Sequence, residues 1–528
     1  MIESFEYVIV GSGVAATTIS KKILEKKPDT TILLLEAGDK VIAKDRRYWW
    51  DYVTRPESPL PYQYTYDQEY ENQSTGNIRW ANKGGRVKAF GGSTMHWGGW
   101  SLRLKPEDFY LKTLTGRGAD WPIDYDEMEP YYYEAEKFLS VSGDAGEMWD
   151  SEKIGYDPRK GKAYPLPPFE WTVTDGVMIQ GFEKNKIKPG KMPIARYRKC
   201  MTTGTCKYCP LGSRFNAQYV LEDLLREYES LNVRTQSTAL RVITSKKSKI
   251  EGIEYLERKT GNIRQVLGDK VILCAGAYEI PKLLMASASH QWEHGIGNDY
   301  DQLGRYVVTH SMLEVTGNAD KNPYGWYQEY DFPTLMSRTL DNETEQPKGK
   351  LFLFRDRTLP KLDIAKEMIS GKNKKEINKI IRGPMQFKLQ AFMEEVGLFE
   401  NRLSIGKGKD RFGLPLTKIV YNRNSIDQKN AENRLKILED IVGEKGMGLK
   451  IGLKDKKIQT PRGDHTTGTC RMSEKPESGV TDKNLLVHGT ENLYICSNGV
   501  FSSNSAVNPT LTLTTLAHRL AAHLNSQG

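Results

Sequence analysis

The sequence predicts an α/β fold in two lobes, on three observations. Residues 6–39 read strand, glycine turn, helix and strand, the unit from which doubly wound sheets are built. The chain has 528 residues, more than one hydrophobic core usually organises, so a second lobe is expected. Near the other end, the apolar strand Leu493-Tyr-Ile-Cys496 precedes a turn and a run with Leu511, Leu513, Leu516 and Leu520 at helical spacing.

In the first unit, Glu6-Tyr-Val-Ile-Val10 is a short apolar strand and a helix is expected to about Lys27. Between them stands Gly11-Ser-Gly13-Val-Ala-Ala16, the G-x-G-x-x-A fingerprint of a dinucleotide-binding turn. Gly11 permits the tight turn and Gly13 lets backbone approach a pyrophosphate. Val14 and Ala15 open the helix, and Ala16 allows it to pack closely on the strand. The second strand, Thr31–Leu35, ends in Glu36 and Ala37, and a carboxylate there can accept ribose hydroxyls. The fingerprint leaves NAD and FAD both open. A second glycine cluster, Gly84-Gly85 and Gly91 to Gly99, is too glycine-rich for an element interior. Its use is a backbone passing close to a flat ligand, with Gly91, Gly92, Ser93, Thr94 and His96 as candidate contacts. An ordinary tight loop is the alternative.

The tail carries the candidate chemistry. His465 stands ahead of Thr-Thr-Gly-Thr-Cys, and Asn508-Pro-Thr-Leu-Thr opens the last helix. Asn508 reads as the helix N-cap with Pro509 at the first helical position. A helix N-terminus at Pro509 and Thr510 favours anionic charge. Together these residues offer a general base, a hydrogen-bonding amide and an anion-stabilising dipole.

Charged residues make up 27% of the chain and hydrophobic ones 38%, the balance of a globular protein. The net charge of +9 is spread among interleaved acids and bases. The densest basic run, Lys372 to Lys379, contains a glutamate and no aromatic residue, so nucleic acid is not an expected partner. No run of 18 apolar residues is present, so no membrane span is expected. With no basic-then-apolar leader, the expected location is the cytoplasm, with export alongside a signal-bearing partner as the alternative. Of the six cysteines, Cys274, Cys470 and Cys496 lie in apolar, strand-like surroundings and read as buried thiols. Cys200, Cys206 and Cys209 are clustered. Three thiolates in ten residues can hold an iron–sulfur cluster, and a turn with reduced thiols is the competing reading.

These segments, in this order, resemble the glucose–methanol–choline (GMC) family of FAD-dependent oxidoreductases. The likeness is carried by the fingerprint, by Gly91-Gly-Ser-Thr-Met-His-Trp97 and by Asp120-Trp-Pro-Ile-Asp-Tyr. It continues through Val271-Ile-Leu-Cys-Ala-Gly276, Leu303-Gly-Arg-Tyr-Val-Val-Thr-His310, Glu400-Asn-Arg-Leu-Ser404 and the tail. It is nearest the pyranose 2-oxidase and bacterial sugar dehydrogenase branch. The resemblance implies a Rossmann-like FAD domain assembled from residues 1–110, 195–310 and 461–528. A substrate domain with an antiparallel sheet would comprise residues 111–194 and 311–460. It places Val242, Ala275, Gly276, Asn498 and Gly499 at the cofactor, and Gln386, Phe387, Gln390 and Glu394 on a strand facing the flavin. Ser497 stands where many relatives have an aspartate. His96 falls where pyranose 2-oxidase attaches its flavin covalently, although a non-covalent flavin is expected here. A C-x5-C-x3-C-Pro stretch holds a three-iron cluster in some relatives; Cys200, Cys206 and Cys209 are spaced one residue tighter.

The implied activity is oxidation of a sugar or glycoside hydroxyl at ring C2 or C3 to a ketone, with His465 as base and Asn508 on the same oxygen. The partners are the carbohydrate and an external acceptor (quinone, dye, cytochrome or O2), with a dehydrogenase expected over an oxidase. An oligomer is compatible with the sequence. The alternatives are a flavin-bound lyase of the same family, oxidation of a non-sugar alcohol, an NAD enzyme and a non-catalytic flavoprotein. Tyr324, Trp326, Tyr327 and Tyr330 suit pyranose faces or a packed lobe, and segment 341–381 reads as a lid or an oligomer contact.

Overall fold

The computed structural model describes residues 2–41, 72–81, 85–146, 158–197, 212–245, 248–320, 330, 332–342, 351–356, 367–381, 386–448 and 450–527. Cys200, Cys206, Cys209, Tyr324, Trp326 and Tyr327 lie outside the described residues.

The first sheet is built on the N-terminal unit. Strand Glu3–Val10 runs parallel to Ile32–Leu35 on one side and to Asn262–Leu273 on the other. Leu231–Arg234 extends the sheet beyond Ile32–Leu35, and Leu493–Ile495 pairs in parallel with the end of Asn262–Leu273. The stretches that pair in parallel at the centre, Tyr7–Val10, Ile32–Leu35, Val271–Leu273 and Leu493–Ile495, are apolar and buried, as a parallel sheet covered on both faces requires. Strands Ser237–Thr244 and Ile250–Glu257 add an antiparallel meander to the first half of Asn262–Leu273. Helix Val14–Lys26 packs against the C-terminal helix Thr510–Ser526, which in turn packs against helix Tyr125–Leu139. The order of connection reverses beside Glu3–Val10, so the carboxyl ends of that strand and of Asn262–Leu273 open a crevice.

The second sheet is antiparallel. Its central pair, Ser311–Ala319 and Gln386–Met393, is flanked by Ile451–Ile458 and by Leu351–Asp356. On Gln386–Met393 the odd positions Phe387, Leu389, Ala391 and Met393 are buried in a core shared with helices Val173–Lys184 and Ser425–Val442. The even positions, Gln390 and Phe392 among them, face the other way. That side is turned toward the crevice, because Phe392 touches His310 and His465. Strands Asn72–Thr75, Arg402–Lys409 and Pro415–Val420 form a third, small sheet.

Three details differ from the sequence reading. Helix Thr510–Ser526 begins one residue later than expected: Pro509 holds the N-cap position with no side-chain cap, and Asn508 is spent elsewhere. Glu394 lies just past the end of its strand. Cys274 and Cys496 directly follow neighbouring strands, whereas Cys470 sits in a turn rather than strand-like surroundings.

Candidate active site

A cavity of about 480 Å³ occupies the crevice. Its floor is the fingerprint turn. Gly11 has φ +102° and receives the chain as Val10 leaves the sheet; its N–H donates to the Leu35 carbonyl at 2.7 Å. A Cβ on Gly11 would stand 2.8 Å from the Cys274 carbonyl oxygen, so the residue must be glycine. Glu36 is buried at the end of the second strand. It accepts from Ser12 N–H at 3.1 Å, Ser12 Oγ at 2.6 Å and Gly38 N–H at 2.8 Å. Burial nonetheless raises its pKa above the ordinary carboxylate range.

The second glycine cluster is pressed onto this floor. Gly91 N–H donates to Ser12 Oγ at 3.1 Å, and a Cβ on Gly92 would come 3.0 Å from Gly13 Cα. Thr94 Oγ1 donates to the Gly91 carbonyl at 2.6 Å and accepts from Ala217 N–H at 3.0 Å, tying the loop to helix Ala217–Glu227. The loop continues through His96 and Trp97 to Trp100, all in the cavity wall. Trp100 packs on Phe354 (centroids 4.4 Å apart) and Phe392 (5.7 Å), which brings the second sheet to the cavity.

Three helices open onto the cavity: Val14–Lys26, Gly276–Ala286 and Thr510–Ser526. None has a side-chain cap, so their first-turn N–H groups are available to anionic ligand atoms. Gly276 has φ +79°, and a Cβ added there would meet no atom within 4 Å, so this part of the turn is open to the cavity. The Oδ1 atoms of Asn498 and Asn508 belong to residues of the cavity wall and have no partner among the described residues. A dinucleotide fits this set: a glycine cradle, a buried carboxylate at the ribose position, phosphate-ready helix ends and acceptors awaiting donors.

His465 and Asn508 stand together in the cavity wall, and His310 is buried behind His465. His465 ends a 3-10 turn, Gly463–His465, and its Nε2 is 3.2 Å from Asn508 Nδ2. Its Nδ1 is 2.9 Å from His310 Nδ1, and His310 Nε2 is 2.6 Å from the Ser505 carbonyl oxygen. Phe392 stacks on His310 at 5.3 Å and meets His465 edge-on at 5.0 Å. Burial lowers the pKa of His465 below the ordinary imidazole value; Asp464 opposes the shift and Arg462 adds to it. His310 is pushed down to about 3, by burial first and by His465 second. Both rings are therefore neutral at pH 7, the state a proton acceptor needs.

Of the residues singled out from sequence, Gly11, Gly13, Val14, Ala15, Glu36, Ala37, Gly92, Ser93, Thr94, His96, Ala275, Gly276, His465, Asn498, Asn508 and Thr510 line the cavity. Ala16, Gly91, Gly499 and Pro509 sit behind it. Val242 is buried in the core; its strand meets the cavity earlier, at Ser237, Thr238 and Ala239. Phe387, expected to face the flavin, is buried in the core on the opposite face of its strand; Gln390, on that strand, and Glu394, just past its end, lie outside the cavity wall, and the side chain of Gln386 lies outside the described residues. Sequence reasoning misses His310, Trp100, Ser12 and the basic pair Arg86 and Lys88, which flank Glu279 in the cavity wall. Among the described residues, no group of three or more His, Cys, Asp or Glu side chains is placed to hold a metal ion.

Residues 5–310 and 400–517 match the sequence models of the GMC oxidoreductases. The chain is 26% identical to the fructose dehydrogenase large subunit of Gluconobacter japonicus over 98% of its own length and 97% of that protein's. Its fold matches pyridoxine 4-oxidase from Mesorbium loti with TM-score 0.68, at 18% identity and 99% coverage of each chain. It also matches a mutant of formate oxidase from Aspergillus oryzae RIB40, a structure concerned with FAD modification, with TM-score 0.69, 16% identity and coverage of 99% and 98%.

Proposed function

The chain belongs to the GMC oxidoreductase family, a family of FAD enzymes, and from that premise we propose that it oxidises a secondary hydroxyl of a sugar or glycoside, at ring C2 or C3, to the ketone. The observation that carries this reading is the pairing of His465 Nε2 with Asn508 Nδ2 at 3.2 Å in the wall of the cofactor cavity. When the substrate hydroxyl displaces the amide from that nitrogen, its proton passes to His465. Asn508 then holds the oxygen, which fixes the carbon's remaining hydrogen toward the cofactor. FAD, when bound, supplies the acceptor for the hydride that leaves the carbon, and Gly11, Gly13, Glu36, Gly92, Ala275 and Gly276 would hold it. The uncapped end of helix Thr510–Ser526 would favour negative charge on the group held there.

A sugar suits the wall opposite. Trp100 stands in the cavity wall, backed by the buried rings of Phe354 and Phe392, and Phe392 packs against His465. Beyond them, Glu314 accepts from Gln390 at 2.5 Å and Gln459 at 2.8 Å and is flanked by Lys388 and Lys457. An apolar surface followed by polar groups complements a polyhydroxylated ring. Gln390 and Glu394, just outside the cavity wall, are assigned to the outer hydroxyls of a substrate that extends past that wall. The similarity to a fructose dehydrogenase subunit supports the substrate class and an external electron acceptor other than oxygen. The flavin is proposed to be released on denaturation, with no bond to His96. Iron analysis of the purified protein tests the iron–sulfur reading of Cys200, Cys206 and Cys209.

The test is anaerobic mixing with a panel of sugars and glycosides, reading loss of the oxidised-flavin absorption. Bleaching by a sugar is expected, with slow reoxidation by oxygen and fast reoxidation by a quinone or dye. In His465→Ala the rate of bleaching falls by at least about 100-fold at unchanged flavin content. Bleaching only by non-sugar alcohols overturns the substrate class, and an undiminished rate in His465→Ala overturns the assignment of the base.

A further inference from the structure

His465 can serve as base only through the nitrogen that carries no proton, and an imidazole has two candidates. Nothing in His465 itself decides between them. Three contacts outside the ring do. A peptide carbonyl oxygen only accepts, so the 2.6 Å contact between His310 Nε2 and the Ser505 carbonyl requires a proton on His310 Nε2. In the neutral ring, His310 Nδ1 is then an acceptor. The 2.9 Å contact between the two Nδ1 atoms therefore requires the proton to sit on His465 Nδ1. That leaves His465 Nε2 with a lone pair, and the amide of Asn508 must present Nδ2 to it, as observed at 3.2 Å.

The opposite assignment fails at its last step. Were His465 protonated on Nε2, its Nδ1 would accept from His310, and His310 Nε2 would face a carbonyl oxygen with two lone pairs opposed. The Ser505 carbonyl is itself held in place. Ser505 Oγ donates to Asp108 at 2.9 Å, and Ser503 Oγ donates to the Asp108 carbonyl at 3.2 Å while accepting from Trp121 Nε1 at 2.8 Å. Phe392 stacks on His310 and packs against one face of that ring. The charged groups next to the pair are Asp464 and Arg462, which form an ion pair with each other at 2.8 Å.

We propose that His310 is a positioning residue that sets the tautomer of His465, with the Ser505 carbonyl as the fixed reference, so that Nε2 is the basic nitrogen facing the substrate oxygen. The proposal rests on the reading of His465 as the base. The geometry also explains how the proton is received: on taking the substrate proton at Nε2, His465 becomes a cation whose Nδ1–H is already hydrogen-bonded to a neutral acceptor. No second proton has to move.

The experiment uses the flavin-loaded enzyme labelled with ¹⁵N-histidine, in which nitrogen–proton correlation spectra distinguish protonated from unprotonated ring nitrogens. His465 is assigned by the loss of its signals in His465→Asn. Wild type is expected to show His465 protonated on Nδ1. In His310→Gln the pattern persists, because the side-chain Oε1 accepts from His465 Nδ1–H while the amide donates to the Ser505 carbonyl. In His310→Leu the Nε2–H form appears, and the rate of flavin reduction falls by about 100-fold or more, against less than about tenfold for His310→Gln. The loss lies in kcat rather than KM, at unchanged flavin content. A wild-type spectrum with His465 protonated on Nε2 overturns the proposal, as does a leucine variant that keeps both the Nδ1–H form and the rate. If the leucine variant does not fold, the wild-type and glutamine spectra decide. Failure of the base reading is separate: it shows as retained turnover in His465→Ala, whatever tautomer the spectra report.

Discussion

At the scale of single residues, the pKa of His465 sets a pH prediction whose sign follows from which form is active. The neutral ring accepts the proton, so turnover is lost as pH falls through the pKa of His465. Burial places that pKa below the ordinary 6.5. The acid limb of kcat/KM is therefore expected below pH 6.5. Asp464 acts against the shift, so Asp464→Asn removes a stabiliser of the protonated ring and moves the acid limb lower still. A pH–rate profile of the two enzymes checks both statements, and an acid limb moving upward in the variant contradicts them. The base is legible in the sequence because a histidine and an asparagine, 43 positions apart, fit a known pattern of motifs. His310 is not, since its partner lies 155 residues away and no local pattern marks a ring chosen for its second nitrogen. Asn508 resembles a cap for a related reason. The residue types that cap helices are the small polar ones that also serve substrates, and only the structure shows which duty the side chain performs.

At the scale of elements, the fingerprint is legible because its constraints are local and steric. Gly11 and Gly276 both hold a positive φ, yet for different reasons. Around Gly11 the obstacle is protein: a Cβ would meet the Cys274 carbonyl at 2.8 Å, with φ already +102°. Gly11→Ala is expected to fail in folding, seen as loss of soluble protein or a large drop in Tm. Around Gly276 the space is open, so Gly276→Ala carries mainly the cost of a left-handed backbone, roughly 1–2 kcal/mol. Its larger effect is on the cavity, and flavin retention is expected to fall more than the stability of the flavin-free protein. Equal losses in the two variants would show that the cavity is not the reason for glycine at Gly276. Strand Gln386–Met393 is harder to read. Its apolar odd positions alternate with Gln386, Lys388 and Gln390, but Phe392 breaks the pattern. The break arises because Phe392 serves the site face, where it walls the two histidines, rather than the core.

At the scale of the whole molecule, the site depends on parts of the chain brought together by buried charge. Glu136, on helix Tyr125–Leu139, is fully buried between two guanidinium groups. Arg103 reaches its two oxygens at 2.8 and 3.0 Å, and Arg159 does so at 2.8 and 2.7 Å. Arg338, near the end of the second sheet, donates to the Arg103 carbonyl at 2.9 Å. The same helix presents Tyr132 to Thr512 at 2.8 Å, in the first turn of the C-terminal helix and close to Asn508. Burial opposes ionisation of Glu136, but the two arginines hold its pKa below the ordinary carboxylate value. Its contribution to stability is therefore present above the unfolded-state pKa near 4.5 and is lost as pH falls through the folded value. Glu136→Gln leaves two buried cations facing a neutral amide, and the expected loss is about 3–5 kcal/mol at pH 7. The deficit relative to wild type narrows as acid neutralises the wild-type carboxylate, so unfolding curves at pH 7 and at acid pH should converge. Replacing all three members with apolar side chains of similar volume is expected to recover most of the loss, because no uncompensated charge remains. A glutamine variant as stable as wild type at pH 7 would mean that water reaches the two arginines, and that the helix beside Asn508 is held without the buried charge, by packing and the Tyr132–Thr512 hydrogen bond.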